Sequence, residues 1–600
     1  MKPVLLGYDA REKPVYLSEE EARTHTHVIG SSGSGKSKFL ESKMREHLRN
    51  GTGFALLDPH GNLFEDLSTF CAHYALDREI IHLNLSNPEV VVSFNPFQRA
   101  KDGDVSVQVD RRIAATMHAW GVQDTDQTPT LARTLRLIYT VMLENNLGLP
   151  EIQHLIDFNA REVRGTMIDR LDCELIQHEW RELQALKPKE WRDETLSAKN
   201  RLFKFLTSKA MCRVMGIPGR TINLREVMDQ GKVLLVNLAQ SDYLSHENAR
   251  AFGALLVNEF FECALRRQRD ERGRPPIPYF LFLDEFQNFV SLDISNMLDE
   301  VRKFGLFLTL AHQRFGQLEE DITDAVLTNC RIKAVFGGLP AQSARMMAEE
   351  LFIGELDSKK IKVAIYQTKF WPEYRRDKVY TKGTSFSSTT GTSHNSGSGS
   401  SGASGLSTAY FQPNDWFATF QPDSLTRNTS SGHSSTVSDG YSDSEAHGES
   451  ESVADIPILM PVPFEELSSV QYYTTEEQLI ELTAALKEQF PRHCFIKIHG
   501  HKTQPLLVPF VQEIRSFRDS PENREWYCGW QMARQHALPA YEIDRLINER
   551  QSALIHTTSE LVDPSTSSEI VELVPRMPPT VARPVKKPEA ESKTSIWNRG

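Results

Sequence analysis

An α/β fold with a mainly parallel central sheet, interrupted by an all-α insertion, is what the sequence predicts. Three observations carry that expectation. Strand and helix patterns alternate over residues 1–97 and again from 222 to about 364. The strands are uniformly apolar, as in a sheet covered on both faces. Between the two blocks the pattern changes to long amphipathic helices with almost no strand signal.

The first block opens with "THVIG", a helix beginning near Lys36, then "GFALLDPHGNL", "EIIHLNL" and "VVVSFNPF". Residues 98–221 follow as the helical insertion, with "TLARTLRLIYTVMLENN" and "SAKNRLFKFLTSKAMCRVM" as its clearest helices. The alternation resumes with "GKVLLVNLA", the helix "ENARAFGALLVNEFFECALRRQ", and the strands "YFLFLDEF", "LFLTLAHQ" and "RIKAVFGG", closing a domain of residues 1–97 and 222–380. Residues 381–455 are rich in Ser, Gly and Thr, too poor in apolar surface to offset ordering, and read as a disordered linker. A small α+β segment, 456–556, follows with "TTEEQLIELTAALKEQF", "CFIKIHG", "PLLVPFV" and "PAYEIDRLINERQ". Residues 557–600, polar and Pro-rich, read as a disordered tail.

The 600-residue chain has a composition of 40% hydrophobic and 25% charged residues, that of a globular protein. No stretch approaches the roughly 18 uninterrupted apolar residues of a membrane span, and the charged start lacks a signal-peptide core. The expectation is a cytoplasmic chain without a direct membrane span. Its seven cysteines are scattered singly, without the pairing of a zinc site or disulfide framework. A net charge of -12 argues against a general nucleic-acid coat but leaves room for a locally basic channel. "ALRRQRDERGR", Ala264 to Arg274, is open to two readings: channel lining, or a solvated helix end and loop.

The strongest chemical signal is Gly30-Ser31-Ser32-Gly33-Ser34-Gly35-Lys36-Ser37, a full G-x-x-x-x-G-K-[ST] between an apolar strand and a helix. Glycines let backbone N–H groups converge on phosphates at a helix N-terminus. Lys36 then neutralises the β and γ phosphates, and the Ser37 hydroxyl binds Mg²⁺. A second strand, "YFLFL", delivers Asp284 and Glu285 together. Asp284 suits the magnesium shell, and Glu285 suits the base that polarises an attacking water. Gln313, at the end of "LFLTLAHQ", suits a group that senses the γ phosphate. The adjacent Glu285 favours ATP hydrolysis, and no N-K-x-D guanine signature or L-S-G-G-Q transporter signature occurs. The bare residues leave Arg302 open between a surface charge and an arginine finger. They leave Asp58 and His60 open between site-shaping residues and an ordinary tight turn.

Taken together, the P-loop, "LLDPHGNL", "FNPF", "FLFLDEF" and "RKFGLFLTLAHQ", in this order over residues 22 to 365, resemble the HerA/FtsK superfamily, most nearly the VirD4/TraG/TraD-like coupling ATPases of conjugation. The resemblance implies a RecA-like P-loop domain binding ATP and Mg²⁺ between subunits of a ring, in all expectation a hexamer, that moves DNA. It implies that Arg302 is the arginine finger and Gln313 the strand-end sensor, with Asp58 near the nucleotide. Coupling proteins of this kind begin with transmembrane helices, whereas this chain starts almost at once with its P-loop domain. A separate membrane-bound secretion or relaxosome partner, or a soluble role in DNA processing, is the matching expectation. Two alternatives accompany it: a VirB4-like secretion ATPase acting on protein, and a nucleotide-gated scaffold.

Overall fold

The structure is a computed structural model that describes residues 2–74, 78–86, 89–99, 103–120, 122, 128–267, 273–289, 298, 300–386, 402–407, 426–431, 447–512, 514, 532 and 536–556. In chain order the strands are β1 (Val4–Tyr8), β2 (Pro14–Leu17), β3 (Thr26–Ile29), β4 (Phe54–Asp58), β5 (Ile80–Asn84), β6 (Val90–Val92), β7 (Val233–Asn237), β8 (Tyr279–Leu283), β9 (Leu306–His312) and β10 (Ile332–Phe336). They continue with β11 (Ile361–Phe386), β12 (Gly402–Ser407), β13 (Thr426–Ser431), β14 (His447–Tyr472), β15 (His493–Ile498), β16 (Gln504–Leu507) and β17 (Ala537–Pro539). The chain divides into one unit of residues 1–357 and 474–600 and a second of residues 358–473.

The first unit is built on an 11-stranded sheet in the order β2-β1-β16-β15-β10-β3-β9-β8-β4-β7-β5. From β10 to β5 every neighbouring pair is parallel, the RecA-like α/β arrangement expected. Side chains alternate across the sheet with period two, and both faces are buried. Ala55 and Leu57 of β4, with Leu281 and Leu283 of β8, enter one core. Phe54, Leu56, Phe280 and Phe282 enter the core on the other face. That double burial is why these strands read as unbroken apolar runs.

The helical insertion follows the sheet's first half, with helices Pro129–Glu144, Glu174–Ala185 and Pro188–Leu206 around buried Tyr139, Trp180 and Trp191. It is tied to helix His246–Leu265 of the α/β part by Arg112, which is 1% exposed and donates to Glu259 at 2.8 Å and Glu262 at 3.1 Å. Removing one partner of such a buried ion pair strands the other's charge. Arg112→Met is therefore expected to lower unfolding free energy by about 3–5 kcal/mol; an unchanged urea midpoint would show the pair to be dispensable.

The segment after residue 473 is distributed over the first unit instead of standing apart. Its strand β15 pairs antiparallel with β10 over Ile332↔Ile498 to Phe336↔Cys494, covering an edge that the parallel strands would leave open. Strand β17 pairs with β6, and helix Ala540–His556 reaches the insertion through Asp544 on Arg213 (2.6 Å) and Arg550 on Glu151 (2.7 Å). Alternation explains the first docking: Cys494, Ile496 and Ile498 face the core. These pairings join residues far apart in sequence, so no local pattern announces them.

In the second unit, β11 and β14 form a long antiparallel ribbon from Ile361↔Tyr472 to Phe386↔His447, and β12 pairs with β13. The expected linker over 381–455 is thus strand at 381–386, 402–407, 426–431 and 447–455, and the rest of it lies outside the described residues. Backbone pairing supplies these contacts, which composition does not register. The tail read at 557–600 also lies outside the described residues.

Candidate nucleotide-binding site

Neighbouring parallel strands β3, β9, β8 and β4 end at the same side of the sheet. Strand β3 runs into the P-loop, β9 into Gln313, β8 into Asp284 and Glu285, and β4 ends on Asp58. The chain passes from β3 to β4 across two strand positions, and the carboxyl ends around such a switch in order are where open α/β sheets bind ligands.

The P-loop folds as its motif requires. Gly35 has φ 111° and caps helix Lys36–Asn50, whose first-turn N–H groups have no carbonyl one turn back. Lys36 is buried and donates to the carbonyls of Gly30 (2.5 Å) and Ser31 (3.0 Å), so its ammonium lies over the loop. Burial lowers its pKa, while Glu285 and Asp284 raise it. Ser34 ties the loop by donating to Ser31 O at 2.7 Å, and Ser37 is exposed at the start of the helix.

Asp284 is 4% exposed, and its carboxyl is pushed up to about 7, first by burial and then by the charges of Asp58 and Glu285, against the pull of Lys36. Glu285 sits in left-handed backbone at φ 47°, a strained conformation for a non-glycine residue. Its Oε1 accepts from Gln313 Nε2 at 2.7 Å and its Oε2 from Gln287 Nε2 at 2.9 Å. The charges of Asp58 and Glu285 thus act on Asp284, and those of Glu285 and Asp284 on the Lys36 ammonium. That donor set suits a divalent cation and the phosphates it accompanies, so the residues present fit Mg²⁺ and a nucleoside triphosphate.

The raised pKa of Asp284 has a consequence for stability without ligand. A folded pKa above the ordinary 3.8 means that the folded protein binds this proton more tightly, so stability is lost as pH rises from about 4 towards 7. Above about 7 the penalty is complete. Asp284→Asn should therefore melt higher than the parent at pH 8 without nucleotide, with the gain shrinking towards pH 4; equal melting temperatures at pH 8 would contradict it.

Asp58 is fully buried and uses both oxygens on its own turn, accepting from His60 N and Phe64 N, each at 2.9 Å. This is the geometry of the tight-turn reading, although its charge still reaches Asp284. His60 is exposed. Arg302 is exposed in the short turn Arg302–Phe304, at the opposite end of β9 from Gln313. At roughly 3.3 Å per strand residue it stands about 20 Å from its own chain's site. In the basic cluster, Arg266 binds Glu262 at 2.8 Å and Arg267 binds Asp229 at 2.7 Å, so both have structural partners; residues 268–272 lie outside the described residues.

Sequence reading missed three supports of this site. Beneath it, fully buried His27 and His312 share a hydrogen bond of 2.8 Å between their Nε2 atoms. Burial pushes His312 down to about 3 and His27 well below its ordinary value, so the pair is neutral. Phe286, next to Glu285 in sequence, and Phe315, two residues after Gln313, pack on His312. Beyond β10, Gly337 O accepts from Ser31 N at 3.1 Å. A Cβ at Gly338 would stand 2.1 Å from Ser31 Oγ, and the "GG" after "RIKAVF" was the available signal. Arg492 N donates to Ser34 O at 2.9 Å from a distant part of the chain, with no signal in sequence.

Residues 278–371 match the family model described as the TraM recognition site of TraD and TraG. The matched segment begins at β8 and contains Asp284, Glu285, Arg302 and Gln313. Among solved structures, the chain is similar to the bacterial conjugative coupling protein TrwBdeltaN70 in its unbound monoclinic form, at 14% identity over 87% of this chain and 91% of that one, TM-score 0.46. The trigonal form with sulphate gives 13% identity, 87% and 96% coverage and a TM-score of 0.47. VirB4 of Thermoanaerobacter pseudethanolicus gives 13% identity, 58% and 87% coverage and a TM-score of 0.40. None of the curated proteins compared with the chain matches it. Among the described residues, no helix is long and apolar enough to cross a membrane.

Proposed function

We propose that the chain is an ATP-hydrolysing motor of the coupling-protein type, working as a ring, in which ATP lies between subunits and hydrolysis moves DNA. The observation that carries the hydrolytic part is Glu285, held by Gln313 and Gln287 in strained backbone beside buried Asp284. A carboxylate oriented by two amides next to a phosphate cradle is arranged to accept a proton from water. In this reading the loop Gly30–Ser37 cradles the triphosphate, Lys36 neutralises its β and γ phosphates, and Ser37 and Asp284 hold Mg²⁺. The ion supplies charge neutralisation along the phosphates. Gln313 links the base to the γ phosphate.

Ring assembly enters through Arg302, which its own site cannot use and a neighbour's can. DNA as cargo follows from the motif resemblance to conjugative coupling ATPases, and the match of residues 278–371 to a model described as the TraM recognition site of TraD and TraG supports a relaxosome protein as partner. The test is ATP turnover of the purified chain over a range of protein concentrations, with its mass measured in solution. Turnover per chain should rise as oligomers form. A monomer with full turnover would overturn the ring, and absence of any ATP turnover would overturn the enzyme.

A further inference from the structure

We propose that Phe490, two residues before Arg492 in sequence, and Phe510, beside the Arg492 guanidinium, form the seat of the nucleotide's purine ring. The inference rests on the ATP reading and adds the one part of the ligand that the P-loop leaves unaddressed. A phosphate cradle holds charge, whereas a base needs an apolar or aromatic face.

The chain from residue 489 to 512 wraps the P-loop. Gln489 lies against the loop after β10: a Cβ at Gly337 would stand 2.6 Å from Gln489 O. Arg492, in left-handed backbone at φ 71°, donates its N–H to Ser34 O, and a Cβ at Gly35 would stand 3.0 Å from its nitrogen. A strained residue pressed on a loop glycine marks a contact that the surrounding structure enforces. The guanidinium of Arg492 then donates to Val508 O at 2.8 and 3.2 Å and lies 5.4 Å from the centre of the Phe510 ring.

Two residues further on, Gln512 O accepts from Arg45 on the P-loop helix at 3.3 Å. Phe510 is therefore bracketed between a contact at the start of that helix and one in its third turn. Yet it is 63% exposed, and Phe490 is 75% exposed. Aromatic rings left in solvent on a segment that contacts the phosphate cradle offer an apolar face to whatever those phosphates carry. The occupant continuous with the cradle is the ring system attached to those phosphates. Stacking on an aromatic face with a guanidinium alongside is how proteins hold bases without reading their edges, and it predicts weak discrimination between purines.

The experiment titrates the full chain with MgADP and, separately, with magnesium tripolyphosphate, which has the phosphates but no base. Both rings are exposed, so F490A and F510A leave the core intact. Base stacking of the usual strength predicts about tenfold or greater loss of ADP affinity in the double variant, with tripolyphosphate affinity unchanged and F510W retaining ADP binding. Unchanged ADP affinity in the double variant would overturn the seat while leaving the ATP reading standing. Equal loss for both ligands would also overturn it, by assigning the rings to support of the P-loop. A parent chain that binds neither ligand would overturn the ATP reading itself.

Discussion

Replacing Glu285 by Gln is expected to lower ATP turnover by about 10²- to 10⁴-fold, the range of a positioned general base. ATP binding should persist, because the change keeps the side chain's shape and its place between Gln313 and Gln287. The amide cannot accept the water's proton. Its loss of charge also removes one of the carboxylates that raise Asp284, so the proton on Asp284 should leave at lower pH in the variant. Single-turnover measurement with saturating MgATP separates the chemical step from binding. Turnover equal to the parent's would move the base elsewhere.

Replacing Arg302 by Ala is expected to reduce turnover by about 10³- to 10⁵-fold, the contribution of an arginine finger to phosphoryl transfer. Arg302 is exposed at the amino end of β9, while Gln313 follows its carboxyl end, so in the proposed ring one strand would present one residue to each of two sites. ADP affinity should hold, and adding Arg302→Ala chains to parent chains should depress the turnover of the mixture more than dilution does. A pure Arg302→Ala protein with parental turnover would return this residue to the role of a surface charge.

The parts of the site legible in the sequence are those in which chemistry and local conformation share a few consecutive residues. Gly30 to Ser37 must have these residues to make the turn, and Asp284 with Glu285 follows an apolar run that can hardly be anything but a buried strand. Gln313 was legible for the same reason. What escaped is non-local. His27 and His312 are 285 residues apart and meet only because β3 and β9 are neighbours. Strand β15 completes the sheet beside β10 although the chain leaves that sheet for more than a hundred residues between them. Arg492 reaches Ser34 by the same route. The Ser- and Gly-rich stretch shows the opposite limit, since composition reports missing apolar surface and is silent on backbone pairing such as that of β11 with β14.

In the proposed function, ATP hydrolysis at this site drives movement on DNA. Steady-state ATP turnover of the purified chain, measured without DNA, with single-stranded DNA and with duplex DNA across a salt series, tests it most directly. Turnover should be raised by one form of DNA, with the stimulation fading as salt rises because phosphate contacts release counterions. ATP turnover indifferent to both forms of DNA at every salt concentration would contradict it.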